Sequence, residues 1–524
     1  MVVFGNVQFC SGYTHVDSSH PYLPHPHAQL VAQSSIEKTH TMAAGPVDNI
    51  ILLADCYKSS HYKVYPPGTT KLYAYFESRG GKFPYTVFFG LQYILKQWLC
   101  GPVVTRAMVD EAKQIINTVF KRNDVFNEEG WNYLLEHHGG RLPLRVKAVP
   151  EGSVVPTRNV LFTVENTDPA LPWVTNFFET LLVQTWYPMT VATNSRVYKQ
   201  IIHHYMNLTH DNTHTVEYFL HDAGYRGVSS VESAALGGAA HMINFKSSDT
   251  VAGTSLLRKY YHLETVAGFS TPSSEHSTVT TWGKTRELEA HRHMLSTYSE
   301  GDVGCVCDSY NIWQCLEEHW CEDLRDLVLE RGRKGGCIYL RPDSGDPKEV
   351  VLKSLEILGK AYGTETNSKG YKLLPPFLRV IHADGINHKA LWSILEHLKN
   401  HGWSTASAYF GAGGALLQRL DRDTQRCAYK VSFAEVEGEG VEVYKEPVTD
   451  SGKTSKRGRL TLQCDDGVYT TVQSGKGDPA KDQLVTVFEN GELLRDYTFR
   501  EVQDRADITF DDFDIIKFLK EDTD

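Results

Sequence analysis

The sequence has no apolar run long enough to cross a lipid bilayer. A membrane-spanning helix needs about 18 consecutive apolar residues, and no stretch of the 524-residue chain approaches that length. Residues 1–45 also lack the apolar segment of a secretory signal and the arginine-rich character of a transit peptide. We therefore expect a cytoplasmic protein, with the nucleus as a second compartment, and no membrane partner.

An excess of basic residues is lacking as well. The chain has 53 Lys and Arg against 64 Asp and Glu, which gives a formal net charge of -11. Proteins that bind nucleic acid through their general surface usually need a basic one. We therefore expect no nucleic-acid partner, whereas a local basic pocket for phosphate groups is still compatible with the composition.

The ten cysteines lack the dense spacing of a secreted disulfide scaffold, so reduced thiols are expected. Cys305, Cys307, Cys315 and Cys321 form one cluster that leaves a zinc site open as an alternative. Their spacing matches no familiar zinc pattern, and buried free cysteine is common. The sequence therefore predicts no metal bound by protein residues alone.

Composition and periodicity divide the rest of the chain into parts. Residues 1–45 are rich in His, Ser and Pro, which predicts a flexible extension. Residues 46–190 mix predicted strands near 146 and 160–164 with a predicted helix over 85–99, and form an N-terminal α+β part. Residues 423–524 contain strand-like runs at 441–444, 469–472 and 483–488, so we expect them to pack with the N-terminal part.

Residues 191–422 alternate short apolar runs with amphipathic stretches, and polar residues or glycines follow each run. This pattern is typical of successive βα units. Such units close most naturally into an α/β barrel with its active site at the carboxyl ends of the strands. The sequence thus predicts an α/β fold, an irregular α/β barrel with a second α+β domain formed from N- and C-terminal segments. The predicted barrel strands include residues 242–245, 303–307, 337–340, 378–382 and 406–410.

The predicted strand ends carry residues suited to a phosphorylated, hydroxyl-bearing ligand. A glycine loop at 411–414 precedes a predicted helix, which lets backbone N–H groups approach a phosphate. Such a loop is weak evidence alone, but it shares its layer with many charged residues. These are Asp249, Glu275, Asp308, Asp343, Asp384, Arg226, Arg341 and Arg422.

His276 begins another predicted helix. A lone histidine there is more often structural, but Glu275 and the predicted neighbour Asp308 could orient the imidazole and stabilise its cation. The ring could then serve as an acid, a base or a nucleophile. The basic run KTSKRGR at 453–459 is, by itself, more typical of a solvated loop.

Long segments, ordered along residues 48–499, resemble the nicotinamide phosphoribosyltransferase family. A match of this length is far more specific than any short motif. The segments are ILLADCYKSSHYKVYPP from residue 51, DVFNEEGWNYLLE from 124, NVLFTVENTDP from 159, HDAGYRGVSS from 221, EHSTVTTWGK from 275, LRPDSGDP from 340, NSKGYKLLPP from 367 and GAGGALLQRL from 411.

The resemblance implies a role for each candidate residue. His276 matches an active-site histidine that ATP phosphorylates, with Glu275 and Asp308 in support, and Asp249 matches the acceptor of the nicotinamide amide. The other matches are substrate ligands: Arg226 for base and diphosphate, Arg341 for the amide oxygen and diphosphate, Asp343 and Asp384 for the ribose hydroxyls with Pro342 and Ala383 beside them, Gly413, Gly414 and Arg422 for the 5′-phosphate, Arg79, Lys430, Lys445 and Lys453 for further phosphates, and Tyr57 for stacking on the base in a neighbouring subunit.

The family reaction joins nicotinamide to 5-phosphoribosyl 1-pyrophosphate and releases nicotinamide mononucleotide and pyrophosphate, a step of NAD salvage. The resemblance implies ATP hydrolysis coupled through His276, a substrate-bridged Mg²⁺, and a homodimer with active sites at the subunit interface. As pyrophosphate leaves, Mg²⁺ and the arginines neutralise its charge. The pyridine nitrogen needs no deprotonation, so positioning should carry most of the catalysis.

Three positions depart from the family pattern. Ala223 replaces a phenylalanine that forms the second face of an aromatic sandwich around nicotinamide, Ala383 replaces a glycine, and Gly304 replaces a small hydroxyl residue. We hypothesise a wider slot that tolerates bulkier pyridines.

Three alternatives stay open. A nicotinate-specific enzyme should lack an acidic residue at Asp249. A catalytically silent signalling protein predicts an eroded site, whereas the candidate residues are present. The third alternative is a barrel enzyme that acts on another sugar phosphate, and only the long segment matches argue against it.

Overall fold

The structure is a computed structural model that describes residues 48–507 and 514–521, so the predicted extension at residues 1–45 lies outside the described residues. The strands, in chain order, are β1 Thr69–Ser78, β2 Tyr85–Val87, β3 Leu144–Ala148, β4 Val154–Pro156, β5 Val160–Asn166, β6 Leu220–Asp222, β7 Ser247–Ser248, β8 Val303–Val306, β9 Ile338–Arg341, β10 Glu365–Thr366, β11 Lys372–Leu373, β12 Leu378–His382, β13 Ala408–Ala412, β14 Cys427–Val436, β15 Glu439–Glu442, β16 Leu460–Asp465, β17 Val468–Gln473, β18 Val485–Glu489 and β19 Glu492–Leu493.

The α-helices in the same ranges are α1 Leu91–Ile94, α2 Arg106–Phe120, α3 Glu128–His138, α4 Val174–Phe177, α5 Glu179–Leu182, α6 Trp186–Thr209, α7 Val231–His241, α8 Val251–Tyr260, α9 His276–Thr280, α10 Glu287–Thr297, α11 Ile312–Gln314, α12 Arg325–Arg333, α13 Pro347–Tyr362, α14 His388–Asn400, α15 Gly414–Leu417, α16 Phe499–Ala506 and α17 Ile515–Glu521. Leu95–Leu99 and Cys315–Asp323 are π-helical. Short 3-10 segments include Cys56–Lys63, Tyr225–Gly227, Arg422–Thr424 and Ser451–Lys453.

One antiparallel sheet combines strands from both ends of the chain, in the order β15-β14-β1-β5-β3-β18-β19. Its centre is apolar, because β5 is buried along its whole length and Phe76 of β1 stacks on Phe162 of β5 with ring centroids 4.7 Å apart. Aromatic pairs of this kind add to the stability gained from buried area. The prediction of a second α+β domain built from N- and C-terminal segments is confirmed.

The second large sheet is parallel and has the order β7-β6-β13-β12-β9-β8. Its two edge strands are joined through residues 269–273, because Phe269 pairs with Ser247 and Ser273 pairs with Gly304. The Gly304 N–H also donates to the carbonyl of Pro272 at 2.9 Å. The sheet therefore closes into the irregular barrel that the βα pattern predicts, with the carboxyl ends of its strands on one side.

The predicted strand at 242–245 is wrong. This apolar run is a turn that follows α7, and Phe245 is buried against His241 with ring centroids 5.1 Å apart. The barrel strand nearby is β7, Ser247–Ser248, which has no apolar side chain and so gives no strand signal. By contrast, the strand predicted at 378–382 coincides with β12.

The helix predicted over 85–99 begins too early. Its first residues form β2, and the helical part starts after Gly90. Gly90 has a φ of 103°, and a Cβ there would lie 2.3 Å from Pro188 Cγ. A left-handed backbone and a close approach thus separate strand from helix.

Helix α6 links the antiparallel part to the barrel. Thr193 Oγ1 accepts a hydrogen bond from Val87 N at 2.9 Å, and Asn194 Nδ2 donates to Leu416 O at 3.1 Å. The boundary predicted at residue 190 falls within this helix, and the domain limits 46–190, 191–422 and 423–524 stay a prediction. Although α6 has 24 residues, neither it nor another helix in the described ranges is long and apolar enough to cross a membrane.

A buried polar cluster joins α1 to the segment after α8. Gln92 Nε2 donates to Tyr260 O at 2.8 Å, while its backbone N donates to Glu151 Oε1 at 2.6 Å. Tyr261 Oη donates to the other Glu151 oxygen at 2.7 Å. Burial raises the pKa of Glu151 more than these hydrogen bonds lower it, so the pKa is about 7.

This raised pKa predicts a pH-dependent stability. A folded-state pKa above the unfolded one contributes stability that is fully present below about 4.5 and is lost as pH rises through about 7. Glu151→Gln should therefore flatten the fall in unfolding free energy over that interval, by up to about 3 kcal/mol. Denaturant unfolding of wild type and variant across this interval measures the difference. The matched control is Glu136→Gln, at an exposed position of α3, and identical pH profiles for wild type and Glu151→Gln would contradict the prediction.

Candidate active site

A cavity of about 450 Å³ opens among the strands of the parallel sheet and the segment that closes it. Three residues that the sequence assigns to the site line this cavity, namely Asp249, Arg341 and Ala383. Sequence reasoning missed much of the remaining wall, which is aromatic or hydrogen-bonding: Tyr218, His221, Phe269, Ser270, Tyr339 and Tyr409. A concave wall of this composition suits a flat ring that carries a polar group.

Asp249 follows β7 and is held by two neighbours. Its Oδ2 lies 2.9 Å from His221 Nε2, and its Oδ1 accepts a hydrogen bond from Ser270 Oγ at 2.5 Å. Burial acts to raise the pKa of Asp249, but these hydrogen bonds and the charge of Arg341 outweigh it, so the pKa lies below its ordinary value. The carboxylate is therefore an ionised acceptor at neutral pH.

His276 begins α9 and contacts Asp308, which follows β8. The distance from His276 Nε2 to Asp308 Oδ1 is 3.1 Å, and the Asp308 side chain is 5% exposed. Burial acts to raise the pKa of Asp308, but hydrogen bonds from Ser344 and His276 outweigh it and leave the pKa low. An ionised carboxylate that holds an imidazole in this way can stabilise a cationic or modified ring.

Glu275 has a different contact. Its Oε1 accepts a hydrogen bond from Ser277 Oγ, and its backbone N donates to Thr278 Oγ1 at 3.2 Å. Its support of His276 stays a prediction.

The loops after β9 and β12 are fixed together by His382, which sequence reasoning missed. This buried ring contacts the carbonyls of Pro342 at 2.8 Å and Asp384 at 3.1 Å. The carboxylates of Asp343 and Asp384 therefore belong to two loops that share one support. Oxygen ligands at such an edge suit sugar hydroxyls or a hard cation such as Mg²⁺.

Arg341 lies between the cavity and this pair of loops. Its Nη2 is 3.8 Å from Asp343 Oδ2, and its Nε is buried without a hydrogen-bond partner in the described residues. A buried guanidinium donor is costly to leave unpaired. It is therefore available to an oxygen atom of a ligand.

The predicted glycine loop at 411–414 begins within β13, which ends at Ala412, and α15 starts at Gly414. A Cβ at Gly411 would lie 2.9 Å from Ala383 Cβ, whereas a Cβ at Gly414 would have no neighbour within 4 Å. A Cβ at Gly413 would lie 3.4 Å from Ala223 O. Arg226 is exposed on the 3-10 turn Tyr225–Gly227. The loop is open where a phosphate is predicted, and that role stays a prediction.

A group of cations surrounds Lys430. Burial, together with the charges of Arg79, Arg422 and Lys58, lowers the pKa of Lys430 despite the opposing charge of Glu179. Arg422 is exposed and pairs with Asp423 at 3.3 Å. A bound anion would relieve the repulsion among these like charges, and the phosphate roles of Arg79, Lys430 and Arg422 stay predictions.

The remaining predicted ligands lie on exposed segments. Lys453 Nζ is 3.2 Å from Asp450 Oδ2, and the backbone N of Lys445 donates to Ser455 Oγ at 2.8 Å. Tyr57 is 55% exposed and its ring centroid lies 5.1 Å from that of His61. Their ligand roles stay predictions.

The basic run at 453–459 is not simply a solvated loop. Lys456 forms an ion pair with the buried Glu77, and its backbone N donates to Tyr75 Oη at 2.9 Å. Arg459 lies 3.8 Å from Glu165 and over the ring of Phe433. Parts of the run are therefore tied to the antiparallel sheet.

The cavity wall is narrower at Gly304 than the sequence suggests. A Cβ at this position would lie 2.4 Å from Ser273 Oγ, so the hydroxyl of Ser273 occupies that space. Ala383 likewise places its methyl group against Gly411. Of the three departures from the family pattern, Ala223 alone leaves an exposed small side chain at the cavity.

Two family models match the chain. The nicotinate phosphoribosyltransferase (NAPRTase) family matches residues 218–492, slightly more than half of the chain. The nicotinamide phosphoribosyltransferase N-terminal domain matches residues 49–146.

The chain matches two curated relatives over almost their whole length. The chain is 47% identical over 471 residues to a nicotinamide phosphoribosyltransferase of Xanthomonas campestris pv. campestris, covering 88% of this chain and 98% of the relative. It is 30% identical over 482 residues to one of Acinetobacter baylyi, covering 86% of this chain and 95% of the relative.

Solved structures share the fold at low sequence identity. The nicotinate-nucleotide pyrophosphorylase from Pyrococcus furiosus has a TM-score of 0.54 at 14% identity, covering 89% of this chain and 97% of that one. The human nicotinic acid phosphoribosyltransferase has a TM-score of 0.52 at 15% identity, covering 87% and 92%.

Proposed function

The chain belongs to the nicotinate phosphoribosyltransferase family, and from that premise we propose that it is a nicotinamide phosphoribosyltransferase of NAD salvage. In this reaction the ribose of 5-phosphoribosyl 1-pyrophosphate passes to the ring nitrogen of nicotinamide, and pyrophosphate leaves. The enzyme is then a pentosyltransferase whose products are nicotinamide mononucleotide and pyrophosphate. The observation that carries the choice of nicotinamide is the ionised Asp249 in the cavity wall.

Asp249 distinguishes the amide from the acid. An ionised carboxylate accepts a hydrogen bond from the amide NH₂ of nicotinamide, but it repels the carboxylate of nicotinate. Because Ser270 and His221 already hold both oxygens of Asp249, the carboxylate is oriented before the ligand arrives. Preorganised polar groups discriminate strongly against an ill-matched ligand.

The other half of the substrate fits the loops after β9, β12 and β13. Asp343 and Asp384 would bind the ribose hydroxyls, with Pro342 and Ala383 beside them, and the unpaired Nε of Arg341 would donate to a ligand oxygen. The phosphates would bind to the glycine loop and to a set of cations, namely Gly413, Gly414, Arg422, Arg79, Lys430, Lys445 and Lys453. Arg226 would contact the base and the diphosphate. Asp343 could help to hold a substrate-bound Mg²⁺, which would supply charge neutralisation at the diphosphate.

Catalysis by this chain rests on orientation. The pyridine nitrogen is a neutral nucleophile, so no protein base has to remove a proton from it. The wall of Tyr218, Phe269 and Tyr409 limits the angles at which the ring can lie. Fixing two reactants in one geometry can lower a barrier by several kcal/mol.

We also propose that ATP is a coupled co-substrate that phosphorylates His276. The supporting observations are the contact with the ionised Asp308 and the half-exposed position of the ring at the start of α9. The exposed Tyr57 supports a homodimer in which this residue enters the partner's site. Sedimentation velocity would detect the dimer. A cytoplasmic location, with the nucleus as a second compartment, stays a prediction.

The decisive assay compares the two pyridines. With 5-phosphoribosyl 1-pyrophosphate and Mg²⁺, we expect kcat/KM for nicotinamide to exceed that for nicotinate by roughly 100-fold, because a like-charge contact costs several kcal/mol. Asp249→Asn should reduce this ratio about tenfold by removing the repulsion. Asp110→Asn, at an exposed position of α2, is the matched control. Product from nicotinate alone, or from neither pyridine, would overturn the proposed function.

Ala223 leaves one face of the pyridine ring without an aromatic partner. Ala223→Phe should lower KM for nicotinamide by up to about tenfold, because an aromatic pair adds about 0.5–1.5 kcal/mol beyond its buried area. Steady-state kinetics checks this, and Ala223→Leu separates stacking from added apolar bulk. A KM that is unchanged or higher in Ala223→Phe would count against the idea.

His276→Ala tests the ATP proposal. We expect the variant to lose the acceleration by ATP and the associated ATP hydrolysis, while the slower reaction without ATP falls less. Product formation with and without ATP, together with transfer of labelled γ-phosphate to the protein, gives the result. Persistent ATP stimulation in His276→Ala would exclude phosphorylation of this residue as the coupling step.

A further inference from the structure

A cluster of nitrogen and sulfur ligands lies behind the strand end that carries Asp308. His291 projects from α10, and Cys315 and His319 project from the π-helical segment Cys315–Asp323. One ligand atom of each residue lies within 4.8 Å of the others. We propose that His291, Cys315 and His319, with Cys307 as fourth ligand, bind one transition-metal ion of the Zn²⁺ class.

The spacing along the chain suits a metal site. Cys315 and His319 are four residues apart on a helical segment, which places their side chains on one face. The same spacing serves the paired histidines of helical zinc sites. The segment is π-helical, a conformation that is frequent at functional sites, and His291 faces it from α10. The ligands therefore come from two elements that a metal would tie together.

The distances fit tetrahedral coordination. With Zn–N near 2.0–2.1 Å and Zn–S near 2.3 Å, neighbouring ligand atoms lie about 3.5 Å apart. Cys315 Sγ and His291 Nε2 are 3.5 Å apart in the structure. No other gap within the trio exceeds 4.8 Å, so a side-chain rotation can complete the geometry.

Two buried polar atoms in or beside the cluster have no hydrogen-bond partner in the described residues. They are His319 Nδ1 and Glu287 Oε1. Cys315 is fully buried and His291 is 1% exposed. Leaving buried donors and acceptors unmatched is costly.

Cys307 is the fourth ligand that we propose, and it lies outside the 4.8 Å group of the other three. It is buried next to Asp308 in sequence, and its thiol donates to Cys305 O at 3.2 Å. A bound cation would deprotonate both thiols and draw Cys307 away from Cys305. The four clustered cysteines of the sequence do not themselves form a ligand group among residues 48–507 and 514–521. One of them, Cys315, forms such a group with His291 and His319.

The proposal is independent of the transferase reaction, because its test reads the metal directly. The whole chain, purified under a phosphine reductant and without a histidine tag, is dialysed against a chelator and titrated with Co²⁺. We expect one equivalent to produce the thiolate-to-cobalt charge-transfer band and the intense visible bands of a tetrahedral site. Zn²⁺ should then displace Co²⁺ and raise the unfolding temperature.

Variants identify the ligands. Cys315→Ser and His319→Ala should abolish the charge-transfer band, and the partly exposed His319 makes the second variant the safer one for folding. Cys307→Ser should weaken Co²⁺ binding and alter the band. The controls are Cys321→Ser, a thiol outside the ligand group, and His293→Ala, an exposed histidine of α10, both of which should bind Co²⁺ as wild type does.

Two outcomes would overturn the proposal. One is wild type without a thiolate–cobalt band at stoichiometric Co²⁺. The other is a band that survives in folded Cys315→Ser or folded His319→Ala, since the cobalt would then be bound elsewhere. Circular dichroism establishes that each variant is folded.

Discussion

The backbone pairing of residues 269–273 with both edges of the parallel sheet is the constraint on which the site depends. Phe269 pairs with β7 and Ser273 with β8, so an open sheet becomes an irregular barrel. The buried Asp222 reinforces that end, because it accepts from Gly224 N at 2.8 Å and Ser248 Oγ at 3.2 Å. Only in a closed barrel do the loops after β7, β8, β9, β12 and β13 face one cavity.

The sequence predicted the barrel, and the second domain shared by both chain ends, because most strands carry apolar runs of the expected length. β12 coincides with its prediction. β7 was not predicted because both of its residues are serines, and the apolar run before it packs after α7. Periodicity reports which apolar side chains are buried, and it gives no signal for a strand made of polar residues.

The candidate site likewise contains residues that the sequence predicted and residues that it did not. Acids and arginines at strand ends were visible in the sequence, and Asp249, Arg341 and Ala383 line one cavity. His221 and His382 were missed, since each lies inside a strand, where a histidine is usually structural. Their importance comes from partners distant in sequence: Asp249 for His221, and the carbonyl of Pro342 for His382. No spacing rule reports such contacts, and the same holds for His291 beside Cys315.

The closing segment continues directly into α9, which begins at His276. The backbone freedom of that residue is therefore lost when the barrel forms, and not when a ligand binds. Ordering one residue costs about 1–2 kcal/mol, and here the cost belongs to folding. Any change that loosens the barrel edge would return that disorder to His276, so thermal stability and catalytic competence should decline together even where no substrate contact is altered.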